Sequence, residues 1–182
     1  MRAGAGRVGR VGAGRLSAAP ELRSARLRLV PLAVGDAPEM VGVLADPALY
    51  AFTGGEPPTI VTLEARYLAQ VAGPPDDGEQ WHNWIVRTLD TDEAIGYVQA
   101  TVTDCGRAAD LAWVTGAAWQ GRGYAAEAAG AMVAWLLEAG VVTVTAHVHP
   151  DHAASASVAR KAGLAATDEV EDGERVWRLD AG

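Results

Sequence analysis

The residues able to do chemistry gather between Asp110 and Ser155. Asp110 stands three positions before Trp113-Val114-Thr115-Gly116, in a segment with strand character. A carboxylate there is open to two readings: a solvated group on a strand face, or a general base that takes a proton from a substrate. Beyond it, Gln120-Gly121-Arg122-Gly123 leads directly into a long alanine-rich run. A strand that ends in a glycine-rich turn and passes into a helix aims backbone N–H groups and the positive end of the helix dipole at one point, which suits a phosphate. Gly121 and Gly123 would leave no Cβ between the chain and a bound pyrophosphate, and Arg122 adds a positive charge beside it. A lone Gly-x-Gly turn is equally an ordinary tight turn. Ser155 falls in the first turn of a later helix, either as a local cap or as a hydrogen-bond donor to a reactant.

The elements that must position these groups follow from periodicity. Arg26 to Leu32 alternates polar and apolar residues and reads as a first strand. Asp36 is placed to cap a short helix to about Ala45, with Met40, Val41 and Leu44 on one face. Residues 46–58 hold three prolines and two glycines and form a loop. Thr59 caps a second helix to Ala72, with Leu63, Tyr67, Leu68 and Val71 inward. Residues 73–78 are a turn-rich linker within one domain. Trp81–Thr88, Ala94–Thr103, with Gly96 as a bulge candidate, and the segment carrying Asp110 make three antiparallel strands. Tyr124–Ala139 is a helix stopped by Gly140, and its alanine, leucine and valine cover predicts burial on most sides. Val141–Val148 is a β-branched run expected to be a buried strand, parallel to the one before the helix. Pro150 and Asp151 open a helix to Ala162, and a hairpin turning at Glu171-Asp172-Gly173 closes the chain.

Gln120-Gly121-Arg122-Gly123-Tyr124-Ala125 fits the Q/R-x-x-G-x-G/A acyl-CoA pyrophosphate loop, and so resembles the GNAT N-acetyltransferases. The RimJ/RimL-like branch is similar over a wider stretch: Ala109-Asp110-Leu111-Ala112-Trp113, then Trp119, Gly121, Gly123, Tyr124, Ala125, Glu127 and Ala128. Other phosphate loops fit worse, because there is no Gly-Lys-Ser/Thr and no third glycine with an acid about 20 residues on. The resemblance implies an α/β (α+β) GNAT fold, with a mixed central sheet of about six to seven strands flanked by helices. It covers Arg23 to about Leu179, so residues 20–182 are expected to form the domain.

By that resemblance the chain transfers an acetyl group from acetyl-CoA to a primary amine by direct attack in a ternary complex. The amine is a small molecule or a protein N-terminal alanine or serine. Residues 120–125 would hold the pyrophosphate, and the Trp113-Val114-Thr115 backbone would hold the pantetheine arm and polarise the thioester carbonyl. Asp110 takes the place of the family's glutamate base, shorter by one methylene, which favours a water relay. Ser155 falls in the family's N-x-x-S pattern, with a role toward the departing thiolate. His152 replaces the asparagine that contacts the pantetheine arm. That missing asparagine, the absent tyrosine acid and the shortened base keep a second reading open, a non-catalytic acyl-CoA-binding regulatory module.

The acceptor pocket is expected from the loop Tyr50 to Glu56 together with Trp84 and Trp113. Tyr50, Phe52 and Trp84 would seat the apolar body of an amine, with Glu56 either holding its cation or solvated. His147-Val148-His149-Pro150-Asp151-His152 matches the H-x-H-x-D-H metal motif of metallo-β-lactamase-like hydrolases. Only 30 residues follow it and none is histidine, so no metal is expected, and His147 and His149 read as strand residues near the cleft. His82, between Trp81 and Trp84, reads as structural.

Charge and composition agree with a single globular domain. The chain has 182 residues, 49% hydrophobic and 21% charged, with a net charge of −8. Residues 1–19 carry four arginines and no acid, so the 15 basic residues leave 11 against 23 acids elsewhere, or −12. An acidic body excludes nucleic acid and suits a cationic amine. The glycine-rich, arginine-bearing start reads as a disordered tail. Cys105 is the sole cysteine, which fits the cytoplasm, and no run is apolar enough to span a membrane. Monomer and homodimer are both open.

Overall fold

The computed structural model describes residues 16–75 and 78–181. Eight strands form one sheet: β1 (Leu22–Arg23), β2 (Leu27–Pro31), β3 (Gln80–Thr88), β4 (Ala94–Thr103), β5 (Ala108–Thr115), β6 (Thr143–Val148), β7 (Ala165–Glu171) and β8 (Glu174–Asp180). Four helices flank it: α1 (Ala37–Val43), α2 (Ile60–Ala72), α3 (Tyr124–Glu138) and α4 (Ala153–Lys161). The strand order is β1-β2-β3-β4-β5-β6-β8-β7, antiparallel throughout except for the β5–β6 pair. The expected mixed sheet is thus present with eight strands. The two-residue β1, paired with β2 through Leu22 and Leu29, is too short to leave a periodic signal.

The sheet separates two cores. Against one face, α3 lays Ala128, Ala129, Met132, Val133 and Leu136 on Leu29, Val98, Ala100 and Val144. Only Ala134 and Glu138 of α3 are exposed, as its sequence predicts. Against the other face, α1 and α2 pack Met40, Leu44, Leu63 and Tyr67 on Ile85. The tail reading falls mostly on residues 1–15, outside the described residues, whereas Leu16 and Ala19 pack against the first core.

Several helix details differ from expectation for local reasons. Asp36 does not cap α1: its Oδ2 accepts from Ala33 N at 2.8 Å, which closes a 3-10 turn, and α1 starts only at Ala37. In α2, Thr59 does cap, accepting from Thr62 N at 3.2 Å. Leu68 and Val71 are exposed rather than inward, at 63% and 54%. Leu68 lies about 100° round the helix from Tyr67. The fourth helix begins at Ala153, three residues after Pro150, because its cap is the His152 side chain.

The run expected to be buried, β6, alternates instead. Val144, Ala146 and Val148 are buried, while Thr143, Thr145 and His147 are partly open. A β-branched run does not reveal whether both faces are covered, and here one face is a cleft wall.

Candidate active site

The site arises where two parallel strands part. β5 and β6 pair from Ala108↔Thr143 to Leu111↔Ala146, and there the ladder stops. β5 continues to Thr115 with its other edge still paired to β4. The edge of Ala112–Thr115 toward β6 therefore carries backbone donors and acceptors with no strand partner, the arrangement an extended ligand with amide groups would satisfy.

That open edge leads into the glycine-rich turn. Gln120 Nε2 donates to the Thr115 carbonyl at 3.0 Å, which ties the loop to the strand end. Gly121 and Gly123 both take left-handed backbone, with φ of 75° and 82°. Gly123 is the N-cap of α3, and no side chain caps that helix. Its first-turn N–H groups thus face the loop unoccupied by a side-chain acceptor.

A clamp behind the loop escaped the sequence reading. Arg26 stacks over Tyr124 at 4.6 Å, donates from Nη1 to the Arg122 carbonyl at 3.2 Å, and pairs with Glu127 at 2.6 Å. Glu127 also accepts from Ser24 Oγ at 2.7 Å and from Arg26 N at 2.8 Å. Burial pushes its carboxyl upward, but the hydrogen bonds from Ser24 and Arg26 outweigh this and hold it below the usual glutamate range. The partners are about a hundred residues apart, and only the Glu127 of the motif hinted at them.

Asp110 stands at the wall of a cleft of about 450 Å³. Its Oδ1 accepts from Thr145 Oγ1 at 3.1 Å and lies 3.3 Å from His147 Nδ1. His147 Nε2 is 3.1 Å from Glu171 Oε2. An imidazole thus bridges two carboxylates, and all three line the cleft with Thr53, Trp113 and Ser155. His147 was expected near the cleft but not in contact with Asp110, and Glu171 was read only as a turn residue.

Ser155 does not cap α4. His152 Nδ1 accepts from Ser155 N at 3.0 Å, while Ser155 Oγ accepts from Trp113 Nε1 at 3.0 Å. With the indole filling an acceptor position, the hydroxyl proton remains to be donated elsewhere. The three histidines of the metal-like motif go separate ways: His147 toward the carboxylates, His149 Nδ1 to Asp151 N at 3.2 Å, and His152 to the cap. Among the described residues, no group of three or more His, Cys, Asp or Glu is arranged to hold a metal ion.

The expected acceptor residues divide. Phe52 packs its ring 4.3 Å from His152 and 5.2 Å from His149, placing its loop at the cleft, where Thr53 forms part of the wall. The Tyr50 hydroxyl donates to the Leu44 carbonyl at 3.0 Å and so braces that loop. Glu56 is exposed, makes no ion pair among the described residues and does not line the cleft. Trp84 is not a pocket residue: it is wholly buried, its indole donating to the Pro20 carbonyl at 2.7 Å, with Trp135 edge-on at 5.3 Å. The register explains this. Trp84, Val98 and Trp113 sit opposite one another across β3, β4 and β5, whereas Asp110, an odd number of residues from Trp113, projects to the other face.

A family model described as an acetyltransferase (GNAT) domain matches residues 26–165. Among solved structures, an acetyltransferase from Agrobacterium tumefaciens is 27% identical, with a TM-score of 0.70, covering 91% of this chain and 97% of its own. The ribosomal L7/L12 alpha-N-protein acetyltransferase RimL, in complex with coenzyme A, is 14% identical with a TM-score of 0.75, covering 88% and 98%. The aminoglycoside acetyltransferase AAC(6')-Ib, also with coenzyme A, is 20% identical with a TM-score of 0.70, covering 85% and 94%. No curated protein matches the chain.

Proposed function

Since the chain belongs to the GNAT acetyltransferase family, we propose that it transfers an acetyl group from acetyl-CoA to a primary amine seated in the Asp110 cleft. The observation that carries the reading is the unpaired edge of Ala112–Thr115 running into an uncapped helix start with two left-handed glycines. Each half fits one part of coenzyme A. The strand edge suits the amides of the pantetheine arm, and residues 120–125 suit the pyrophosphate, with the exposed Arg122 beside it. The bound donor supplies an acyl group activated as a thioester.

The chain's own residues do the rest. An amine at neutral pH is mostly ammonium, with reference pKa values of about 7.7–8.0 for an α-amino group and 10.4 for lysine, so one proton must leave before attack. Asp110 Oδ1 is held by Thr145, and Oδ2 is free to face the ammonium. A backbone N–H on the open β5 edge suits the carbonyl oxygen as negative charge develops there. The second amine proton goes to the sulfur, so the products are the amide, coenzyme A thiol and one proton. Ser155, held by Trp113, donates its hydroxyl hydrogen bond toward the departing thiolate. Four carboxylates at the cleft, Asp110, Glu171, Asp172 and Glu174, favour a cationic acceptor, either a small amine or a protein N-terminus.

Release of free thiol from acetyl-CoA across a panel of amines, including peptides with N-terminal alanine or serine, tests the proposal. At least one amine should give turnover, and Asp110→Asn should lower that turnover by about 10²–10⁴-fold at pH 7 while coenzyme A binding stays nearly unchanged. Binding of coenzyme A without thiol release to any amine would instead identify a non-catalytic binding module.

A further inference from the structure

We propose that His147 is the proton-holding partner of Asp110, storing the proton that the acceptor amine must lose. The inference rests on the transferase reading above and concerns a step that reading leaves without a destination. An aspartate, with a reference pKa of about 3.9, is a poor final resting place for a proton from an ammonium group. An imidazole, with a reference value near 6.5, is matched to neutral pH. The structure places one against the base, with Nδ1 at 3.3 Å from Asp110 Oδ1 and Nε2 at 3.1 Å from Glu171 Oε2.

Counting protons explains why the ring is a seat for one more. A neutral imidazole has a single N–H; with that N–H on Nε2, where the Glu171 carboxylate lies at 3.1 Å, Nδ1 is left with a lone pair beside Asp110. Adding a proton at Nδ1 sets a positive charge 3.3 Å from the Asp110 carboxylate while Nε2 keeps its contact with Glu171. The ammonium gives a proton to Asp110 Oδ2, and rotation of the carboxyl group about its Cβ–Cγ bond brings that proton to Nδ1, which takes it. The imidazolium then stands as a cation between the two carboxylates while the neutral amine attacks. After product leaves, the stored proton goes to solvent, since the side chains of Asp110, His147 and Glu171 are 50%, 28% and 65% exposed.

The surrounding charges are consistent with this assignment. Lining the same cleft as His147 are Asp110 from β5, Glu171 at the end of β7, Asp172 of the turn that follows it and Glu174 at the start of β8. The nearby cation on β8, Arg178, is already paired with Glu169 at 2.7 Å.

His147→Gln, which keeps a polar group but cannot accept a proton, should lower kcat/KM at pH 7 by about 10–100-fold, less than loss of a positioned base. With an α-amino acceptor the deficit should shrink to about threefold or less at pH 9, where that amine is mostly uncharged. Glu171→Gln should show the same trend with a smaller deficit. The coenzyme A thermal shift of both variants should equal that of the native chain, showing an intact donor site. A deficit equal at every pH would mark a purely structural role, and full activity from pH 6 to 9 would remove His147 from the reaction. Either result overturns this inference while native turnover leaves the transferase reading standing. Absence of turnover by the native chain with every amine would overturn both.

Discussion

Gly96→Ala is the substitution whose consequence the structure defines most sharply. Gly96 lies on β4 opposite Thr115, next to Ile95, the extra residue where the β3–β4 register slips between Val86↔Gly96 and Arg87↔Ala94. A Cβ at position 96 would sit 2.1 Å from the Val114 carbonyl oxygen and 3.0 Å from the Thr115 Cα. Ordinary contact begins near 3.4 Å, so the oxygen would have to retreat by about 1.3 Å. Both obstructing atoms are backbone, and the Gly116 N to Ile95 O hydrogen bond of 2.8 Å resists separation of the strands. Overpacking of this kind costs about 1–3 kcal/mol. At about 2–4 °C per kcal/mol for a chain of this size, the melting temperature should fall by about 2–12 °C. The displaced Val114 lies between Trp113 and Thr115, whose backbone groups face the open edge assigned to the pantetheine arm, so the KM for acetyl-CoA should rise more than kcat falls. Thermal melts and initial-rate kinetics on the purified variant test both effects. A melting temperature within about 1 °C of native, with unchanged KM, would refute the argued contact between the bulge and the donor site.

Coenzyme A at 100 times its dissociation constant should stabilise the native chain by about 2.7 kcal/mol. Gly123→Val, placing a β-branched residue at a φ of 82° with only Arg26 Nη2 close by at 3.5 Å, should remain folded but lose that shift; a retained shift would put the phosphate site elsewhere. His82 is buried against Trp84 and Trp135, and burial holds its imidazole below the usual histidine range. Below about pH 6.5 the unfolded chain takes up a proton that the folded chain refuses, so this group leaves stability level above that pH and lowers it as pH falls further. His82→Phe should therefore lose less melting temperature between pH 7 and pH 5 than the native chain, and an equal loss would show that His82 does not contribute.

The fold was legible wherever a local signal is strong. Thr59 capping α2, Gly140 ending α3, the alternation of β2 and the parallel β5-α3-β6 crossover each follow from residues close together in sequence. The errors share a cause. Asp36 had a cap position but also a nearer backbone donor in Ala33, and Leu68 had the right hydrophobicity on the wrong side of α2. Propensity identifies the element, and the angular position of a residue around it is decided by what packs there. Trp84 shows the same limit: a tryptophan reads equally well as a pocket wall or a core anchor until the β3–β4–β5 register assigns its face.

The proposed donor site was more legible than the proposed acid–base cluster, and the difference is one of contact order. Residues 113–125 form a contiguous segment, so one motif contains both the open strand edge and the anion cradle. The Asp110–His147–Glu171 cluster joins three strands separated by a helix and a crossover, and no spacing rule connects them. The histidine motif even drew attention toward metal chemistry, because H-x-H suggests two imidazoles converging from one strand face. In the structure β6 ends at Val148, so His149 lies beyond the strand and turns to Asp151, and His147 alone remains on the face shared with Thr145. The parting of β5 from β6 after Leu111 and Ala146 thus has two effects at once. It leaves the β5 edge without a strand partner, and it leaves His147 one pleat past the last residue paired with β5, where its ring reaches toward Asp110 across the opening.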